Sequence, residues 1–199
     1  MKNKNVVITG GAGFIGANLA KELAADNTVI IIDDLSVGNK ENLIDLLEEN
    51  VKLVEGSIGD LSLLKRLLNN VDFVFHQAAI SSVHKSIENP LATHEANVTG
   101  TLNVLLAARD NGVKKVIYAS SAAVYGDTPT TPQGEGMMPN PQSPYAVTKL
   151  VGEYYCHVFR AVYGLPTVSL RYFNVYGPKQ DPNSAYAAVI PKFTKRLSE

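Results

Sequence analysis

Val6-Val7-Ile8-Thr9-Gly10-Gly11-Ala12-Gly13-Phe14-Ile15-Gly16 is the stretch on which the reading of this chain turns. Four β-branched residues in a row favour a buried strand, and the glycines after it lead directly into a helical pattern. A strand that feeds a tight glycine turn and then a helix start presents bare backbone amides and the positive end of a helix dipole at one point. A phosphate group is the ligand such a point holds best. Gly11, Gly13 and Gly16 satisfy G-x-G-x-x-G, while Gly10, Gly13 and Gly16 satisfy G-x-x-G-x-x-G, and the spacing alone does not choose between them.

Working outward, a second apolar run, Thr28 to Ile32, ends in Asp33-Asp34. That is about twenty residues past the glycines, where an acid can bond both hydroxyls of an adenine ribose. An acid at this place repels a 2′-phosphate, so the expected cofactor is NAD rather than NADP. The plainer reading, a turn followed by a solvated acid, does not explain why strand, glycines, helix and acid occur in that order.

Composition narrows the remaining possibilities. The chain has 199 residues, 45% of them hydrophobic, enough for one sizeable core. Its net charge is −1 with acids and bases interspersed, which offers no basic field to nucleic acid or to an anionic membrane. The single cysteine, Cys156, excludes an intramolecular disulfide. The lysines at 2 and 4 ahead of an apolar stretch imitate a signal peptide, but glycines interrupt that stretch and Lys21-Glu22 ends it without a cleavage pattern. No apolar run reaches the eighteen or so residues that cross a bilayer. A soluble, cytoplasmic protein is the expectation.

Apolar runs then alternate with amphipathic stretches. A short helix is read over 40–49, a strand over Val51 to Glu55, a helix from Leu61, a strand from Val71 to His76, and a long helix from Pro90 to Asn111. A strand over Lys114 to Ala119, a helix from Ala146 to Tyr163 and a strand from Thr167 to Arg171 follow. Nearly continuous apolar strands separated by helices imply a parallel sheet covered on both faces. The fold class is therefore α/β, a doubly wound Rossmann sheet of order 3-2-1-4-5-6 with its site at the carboxyl ends of the strands. Residues 1–180 are read as that domain. The stretch Asp127 to Ser143, with four prolines and two glycines, reads as a loop on the substrate side.

The fifth strand ends in Ser120-Ser121, and the chain then reaches Tyr145 and Lys149, four residues apart and so on one helix face. A phenol with a reference pKa of about 10 is a poor base at neutral pH. Beside a lysine ammonium and a cationic nicotinamide its anion is stabilised, so the expectation is a lowered pKa. Tyr145 can then take a proton from a substrate hydroxyl as hydride leaves the same carbon, with Ser121 bonding that oxygen and Lys149 also binding the nicotinamide ribose.

Taken in order, the glycine run, Asp33, Ser121, Tyr145 with Lys149, and Arg171-Tyr172-Phe173-Asn174-Val175-Tyr176-Gly177 resemble the extended short-chain dehydrogenase/reductase family, in particular its nucleotide-sugar 4-epimerases. The resemblance covers essentially the whole chain. It implies that Gly10, Gly13, Phe14, Ile15, Gly16, Asp33 and Asp34 hold NAD, that Ser57 and Ile58 lie near the adenine, and that Ala78 and Ala79 line the cofactor channel. It further implies that Asn97 supports the site, that Tyr172 sits by the nicotinamide and that Asn174 contacts the substrate diphosphate. Dehydratases of the family carry acids after the serine, where this chain has Ala122-Ala123. That difference favours oxidation and re-reduction of one carbon, as in a 4-epimerase of UDP-sugars. The segment from Gln180 to Pro191 resembles the branch acting on UDP-N-acetylhexosamines, and Ala188 stands where many UDP-galactose enzymes have asparagine, so UDP-glucose/UDP-galactose and their N-acetyl counterparts both stay open. A reductase or decarboxylase of sugar nucleotides and a non-catalytic NAD-binding module are the alternatives.

His76, His84, His94 and His157 have no metal-binding spacing, and no metal is expected. His76 ends a strand near the cleft, a position from which it would touch cofactor. The apolar positions from Val147 to Val162 cover more of the helix than one core-facing stripe. By resemblance that helix packs against its twin in a homodimer through a four-helix bundle, the plainer reading being a helix buried in its own domain. Residues 181–199 read as the start of a substrate-binding lobe, most of which would be missing, either because the chain is a fragment or because it is a shortened natural form.

Overall fold

The structure is a computed structural model that describes residues 1–47 and 50–180 together with 190, 193, 196 and 197. The strands are β1 (Asn5–Thr9), β2 (Thr28–Asp33), β3 (Val51–Glu55), β4 (Phe73–His76), β5 (Lys115–Ser121) and β6 (Thr167–Tyr172). They pair in parallel throughout, in the order β3-β2-β1-β4-β5-β6, which is the doubly wound order expected from the alternation of runs. The order reverses beside β1, so the carboxyl ends of β1 and β4 flank the crevice where such sheets bind ligands.

One core lies on each face of the sheet. Val6, Ile8, Val29 and Ile31 pack with Ala17 and Ala20 of α1 (Phe14–Ala24) on one side. On the other, Val7, Val74, Val116 and Tyr118 pack with α2 (Leu61–Leu67), α5 (Gly100–Asp110) and α6 (Pro144–Tyr163). Adjacent residues of β1 point to opposite faces and both are buried, which is why its sequence is apolar without alternation.

Three local readings change. The helix read over 40–49 is a 3-10 turn, Lys40–Leu46, started by Asn39 accepting from the Glu41 amide. A short helix, α3 (Val83–Glu88), capped by Ser82, precedes α4 (Pro90–His94). The long helix from Pro90 widens into a π-turn over Glu95–Thr99 before α5. Such widening breaks the regular ladder and commonly marks a functional place; here it carries Asn97. Residues 127–143 form neither helix nor strand. The segment 181–189, including Ala188, lies outside the described residues. Among the described residues no helix is long and apolar enough to cross a membrane, and no group of three His, Cys, Asp or Glu side chains stands ready for a metal ion.

Candidate active site

The glycine turn settles which spacing matters for the turn itself. Gly10 has φ +69°, and a Cβ there would stand 2.6 Å from the Ala78 amide nitrogen. A Cβ on Gly16 would come within 2.3 Å of the Gly10 carbonyl oxygen. Gly11 instead faces Ile31 of the neighbouring strand, so Gly10, Gly13 and Gly16 make the bend and Gly11 serves sheet packing. Gly13 caps α1 without a side chain, and the first described α1 bond runs from the Ala17 amide to the Gly13 carbonyl. The amides of Phe14, Ile15 and Gly16 therefore have no intrahelical partner.

Asp33, buried at the end of β2, accepts from the Ala12 amide through Oδ2 and from the Leu35 amide through Oδ1. Each oxygen keeps a lone pair free, so one carboxylate fixes the turn and still has acceptors for a ribose diol. Asp34 is exposed and bonded to Ser36. Ser57 accepts from the Gly59 amide, and the Ile58 side chain is turned into the core against Gly100, so only the former presents its side chain at the surface. The bare amides at the start of α1, the tight bend that only glycine allows and the pinned acid fit a dinucleotide.

Tyr145, Lys149 and Ser121 come together at the carboxyl end of β5. Ser143 caps α6 and Pro144 opens it, which places Tyr145 in the first turn with its amide donating to Ser86 Oγ. Ser121 Oγ accepts from the Ala123 amide, leaving its own proton to donate, and it is hydrogen-bonded to the Tyr145 side chain. Lys149 is only 4% exposed; its Nζ donates to the Ala119 carbonyl at 2.9 Å and lies 5.8 Å from the centre of the Tyr145 ring.

The expected lowering of the Tyr145 pKa does not hold for the chain alone. Burial raises it above the ordinary phenol value, with the Ser121 bond opposing, and the Lys149 ammonium is bonded to the Ala119 carbonyl rather than to the phenol. Burial also lowers Lys149, to about 8. Cationic charge brought in with a ligand would add to that of Lys149 in favouring the phenolate.

His76 does not face the cleft. It is 1% exposed, its Nδ1 2.7 Å from Thr9 Oγ1 and its Nε2 2.9 Å from Thr101 Oγ1. Thr9 Oγ1 accepts from the Ala78 amide, so its proton goes to Nδ1; Thr101 Oγ1 donates to the Asn97 carbonyl and accepts from Nε2–H. The ring is thus held neutral with its proton on Nε2. Asn97 bridges the Ile80 amide and carbonyl and donates to Thr148 Oγ1, which donates to the Tyr145 carbonyl. A continuous polar chain runs from beneath the glycine turn to the tyrosine.

A pH dependence follows. Burial, and secondarily the Lys149 charge, hold the folded pKa of His76 near 3, against 6.5 when unfolded. Between those values the unfolded chain binds the extra proton, so stability is complete above about pH 6.5 and falls as pH drops through the window, with a slope approaching 1.4 kcal/mol per pH unit, at the order-of-magnitude level. Urea midpoints at pH 7 and pH 5 test this; His76→Gln should flatten the difference.

Sequence reasoning missed Glu153. Its carboxylate accepts from Ser120 Oγ and from Arg171 Nε and Nη2, at 2.9 and 2.8 Å for the latter two, and Arg171 stacks over the Tyr125 ring. The signal was present: Glu153 follows Tyr145 and Lys149 at the same four-residue step. Tyr172 ends β6 with its hydroxyl 3.5 Å from Gln77 Nε2, Ala78 and Ala79 are half-buried after β4, and Asn174 is exposed.

Comparison with known proteins gives the chain a family. Residues 6–199 match a family model described as the NAD dependent epimerase/dehydratase family. A putative UDP-glucose 4-epimerase of Methanocaldococcus jannaschii is 40% identical over 195 residues, covering 96% of this chain and 62% of the relative. A UDP-N-acetyl-alpha-D-glucosaminuronate decarboxylase of Bacillus cytotoxicus is 39% identical, covering 96% of this chain and 60% of the relative. The solved UDP-N-acetylglucosamine 4-epimerase of Methanobrevibacter ruminantium M1, in complex with UDP-N-acetylmuramic acid, superposes with a TM-score of 0.95 at 46% identity, covering 100% of this chain and 64% of that one. The chain thus spans about three fifths of the length of these relatives.

Proposed function

Because the chain belongs to the NAD dependent epimerase/dehydratase family, we propose that it binds NAD and interconverts UDP-sugars at C4, with Tyr145 as base. The observation that carries this reading is the meeting of Tyr145, Ser121 and Lys149 at the carboxyl end of β5, two strands from the glycine turn. Gly10, Gly13 and Gly16 allow the bend that presents the Phe14 and Ile15 amides to a pyrophosphate, and Asp33 takes the ribose diol, with Asp34, Ser57 and Ile58 towards the adenine end. Ala78, Ala79 and Tyr172 border the nicotinamide end, and Asn174 faces the substrate diphosphate.

NAD, when bound, supplies a hydride acceptor for C4 and the cationic ring that favours the phenolate. Tyr145 takes the C4 hydroxyl proton and later returns it. Ser121 donates to the same oxygen throughout. Lys149 keeps a buried positive charge beside the phenol and reaches the nicotinamide ribose. With Ser121 and Tyr145 holding the oxygen, a 4-keto sugar that turned over in the site would offer its other face to the same cofactor, and the cycle would close with no net redox change. Ala122 and Ala123, in the 3-10 turn after Ser121, supply no acid or base for loss of water.

Whether the sugar is the hexose or the N-acetylhexosamine pair is decided by incubation with UDP-galactose and UDP-N-acetylgalactosamine separately, followed by separation of the epimers. Conversion of at least one is expected. Conversion of neither, in this chain and in one continued to the length of its relatives, removes the reading. The Bacillus cytotoxicus relative favours a second one, oxidation with decarboxylation, which would accumulate NADH where epimerisation does not. Tight NAD binding without turnover would leave the non-catalytic module.

We propose a homodimer on the same footing. Val147, Tyr154, Val158 and Val162 of α6 are exposed, Tyr154 by 60%, forming an apolar strip. With α5 alongside, two copies would form a four-helix bundle. Tyr154→Glu is expected to shift sedimentation from dimer to monomer; a parent chain that sediments as a monomer at all concentrations would exclude this assembly.

A further inference from the structure

The segment after β6 runs back across the sheet. Tyr172 pairs with Ser121 at the end of β5, and its hydroxyl meets Gln77 beyond β4. Gly177 then lies on the Phe14 ring at the start of α1, and a Cβ there would be 3.5 Å from it. Asn18 Nδ2 donates to the Pro178 carbonyl at 2.9 Å, and Lys179 Nζ donates to the Asn42 carbonyl beyond β2. From β6 to β2 is four strand spacings, about 19 Å, and seven residues reach at most about 24 Å. Residues 173–179 form a strap along the carboxyl edge, with Phe173 against the Tyr125 ring at its near end and, at its far end, a turn in which the Gln180 amide donates to the Gly177 carbonyl, fastened there by Asn18 and Lys179.

The fastening is attached to the glycine turn. Asn42 Nδ2 donates to the Ala12 carbonyl, which also accepts from the Asn39 amide, and Asn18 Nδ2 donates to Phe14 as well as to Pro178. Lys179 has φ +66°, a left-handed conformation unfavourable for a side chain larger than glycine's. Such strain persists only where surrounding contacts hold it, and release relieves it.

We propose that this strap, clasped by Asn18 and Lys179, is the gate that retains the dinucleotide. The proposal rests on the NAD reading above. A ligand lying along the carboxyl edge from the glycine turn to Tyr145 passes beneath residues 173–179, so the clasp must open before it enters or leaves. A reaction that ends with the cofactor in its starting redox state gains from such retention, since exchange serves no purpose in the cycle.

The test loads the purified chain with radiolabelled NAD and follows its release into excess unlabelled NAD, with association measured separately. Asn18→Ala and Lys179→Met are each expected to raise the release rate about tenfold, and the pair about a hundredfold, with association faster too. Release unchanged in the double variant, with the parent binding NAD, overturns the proposal. Faster release with unchanged association also overturns it, assigning these side chains to direct contact. A parent chain that takes up no NAD overturns the cofactor reading and this one with it. Should Asn18→Ala lower the unfolding midpoint, Lys179→Met, at the half-buried other end of the clasp, carries the measurement alone.

Discussion

Tyr145→Phe is expected to lower UDP-sugar turnover by about three orders of magnitude, within the range of positioned acid–base groups, while leaving NAD binding within a few-fold of the parent. The substitution removes one oxygen and its bond to Ser121 and leaves the ring buried, its centre 5.8 Å from Lys149 Nζ. Stability should fall by only about 1 kcal/mol, the usual net worth of a hydrogen bond. Turnover, NAD titration and urea unfolding on the same preparation separate these effects. Unchanged turnover would remove Tyr145 as the base, whereas loss of NAD binding together with turnover would show that the ring holds cofactor rather than moves a proton. Because burial raises the phenol pKa in the chain alone, the parent's tyrosine should titrate at lower pH once NAD is present, which a difference spectrum in the phenolate region would record.

The second large effect is expected at the glycine turn. In Gly16→Ala the new Cβ stands 2.3 Å from the Gly10 oxygen and 2.6 Å from the Gly11 Cα. Both obstacles are backbone, so no rotamer relieves them, and α1 must move away from the turn. Overpacking of this kind costs about 3 kcal/mol at its upper range, and the same displacement moves the Phe14 and Ile15 amides. We expect a lower urea midpoint and NAD affinity reduced about a hundredfold or more, equivalent to about 2.7 kcal/mol. Gly11→Ala meets the branched base of buried Ile31, Cγ2 at 2.5 Å and Cβ at 3.2 Å, so it strains the packing of β2 rather than the turn and should cost stability with a much smaller loss of NAD affinity. Equal losses of affinity at the two positions would refute the division of roles between the glycines.

Six strands, their order and the glycine turn were legible because each rests on a local rule: periodicity, the twist-imposed handedness of crossovers, and the need for an unhindered backbone at Gly10. The break at Asn89-Pro90 was read correctly as a helix start, since proline fits the first helical position. The π-turn at Glu95–Thr99 was not legible, because it depends on Asn97 bonding Ile80 and Thr148 rather than on its neighbours. The short helix at Val83–Glu88 left a signal in Ser82, whose hydroxyl caps it.

Local sequence specified a doubly wound sheet with a glycine turn after its first strand, a serine at the end of the fifth, and a tyrosine and a lysine one turn apart on the helix that follows, because each of those properties rests on neighbours a few residues apart. Tertiary structure alone decided that Lys149 turns to a carbonyl, that His76 is sealed and neutral, that Glu153 holds Arg171, and that residues 173–179 fasten onto Asn18 and Asn42. These partners lie from 18 to 160 residues apart in the chain. No local preference encodes such a meeting; it exists only once burial has brought the strands together and every buried polar group has had to find its bond.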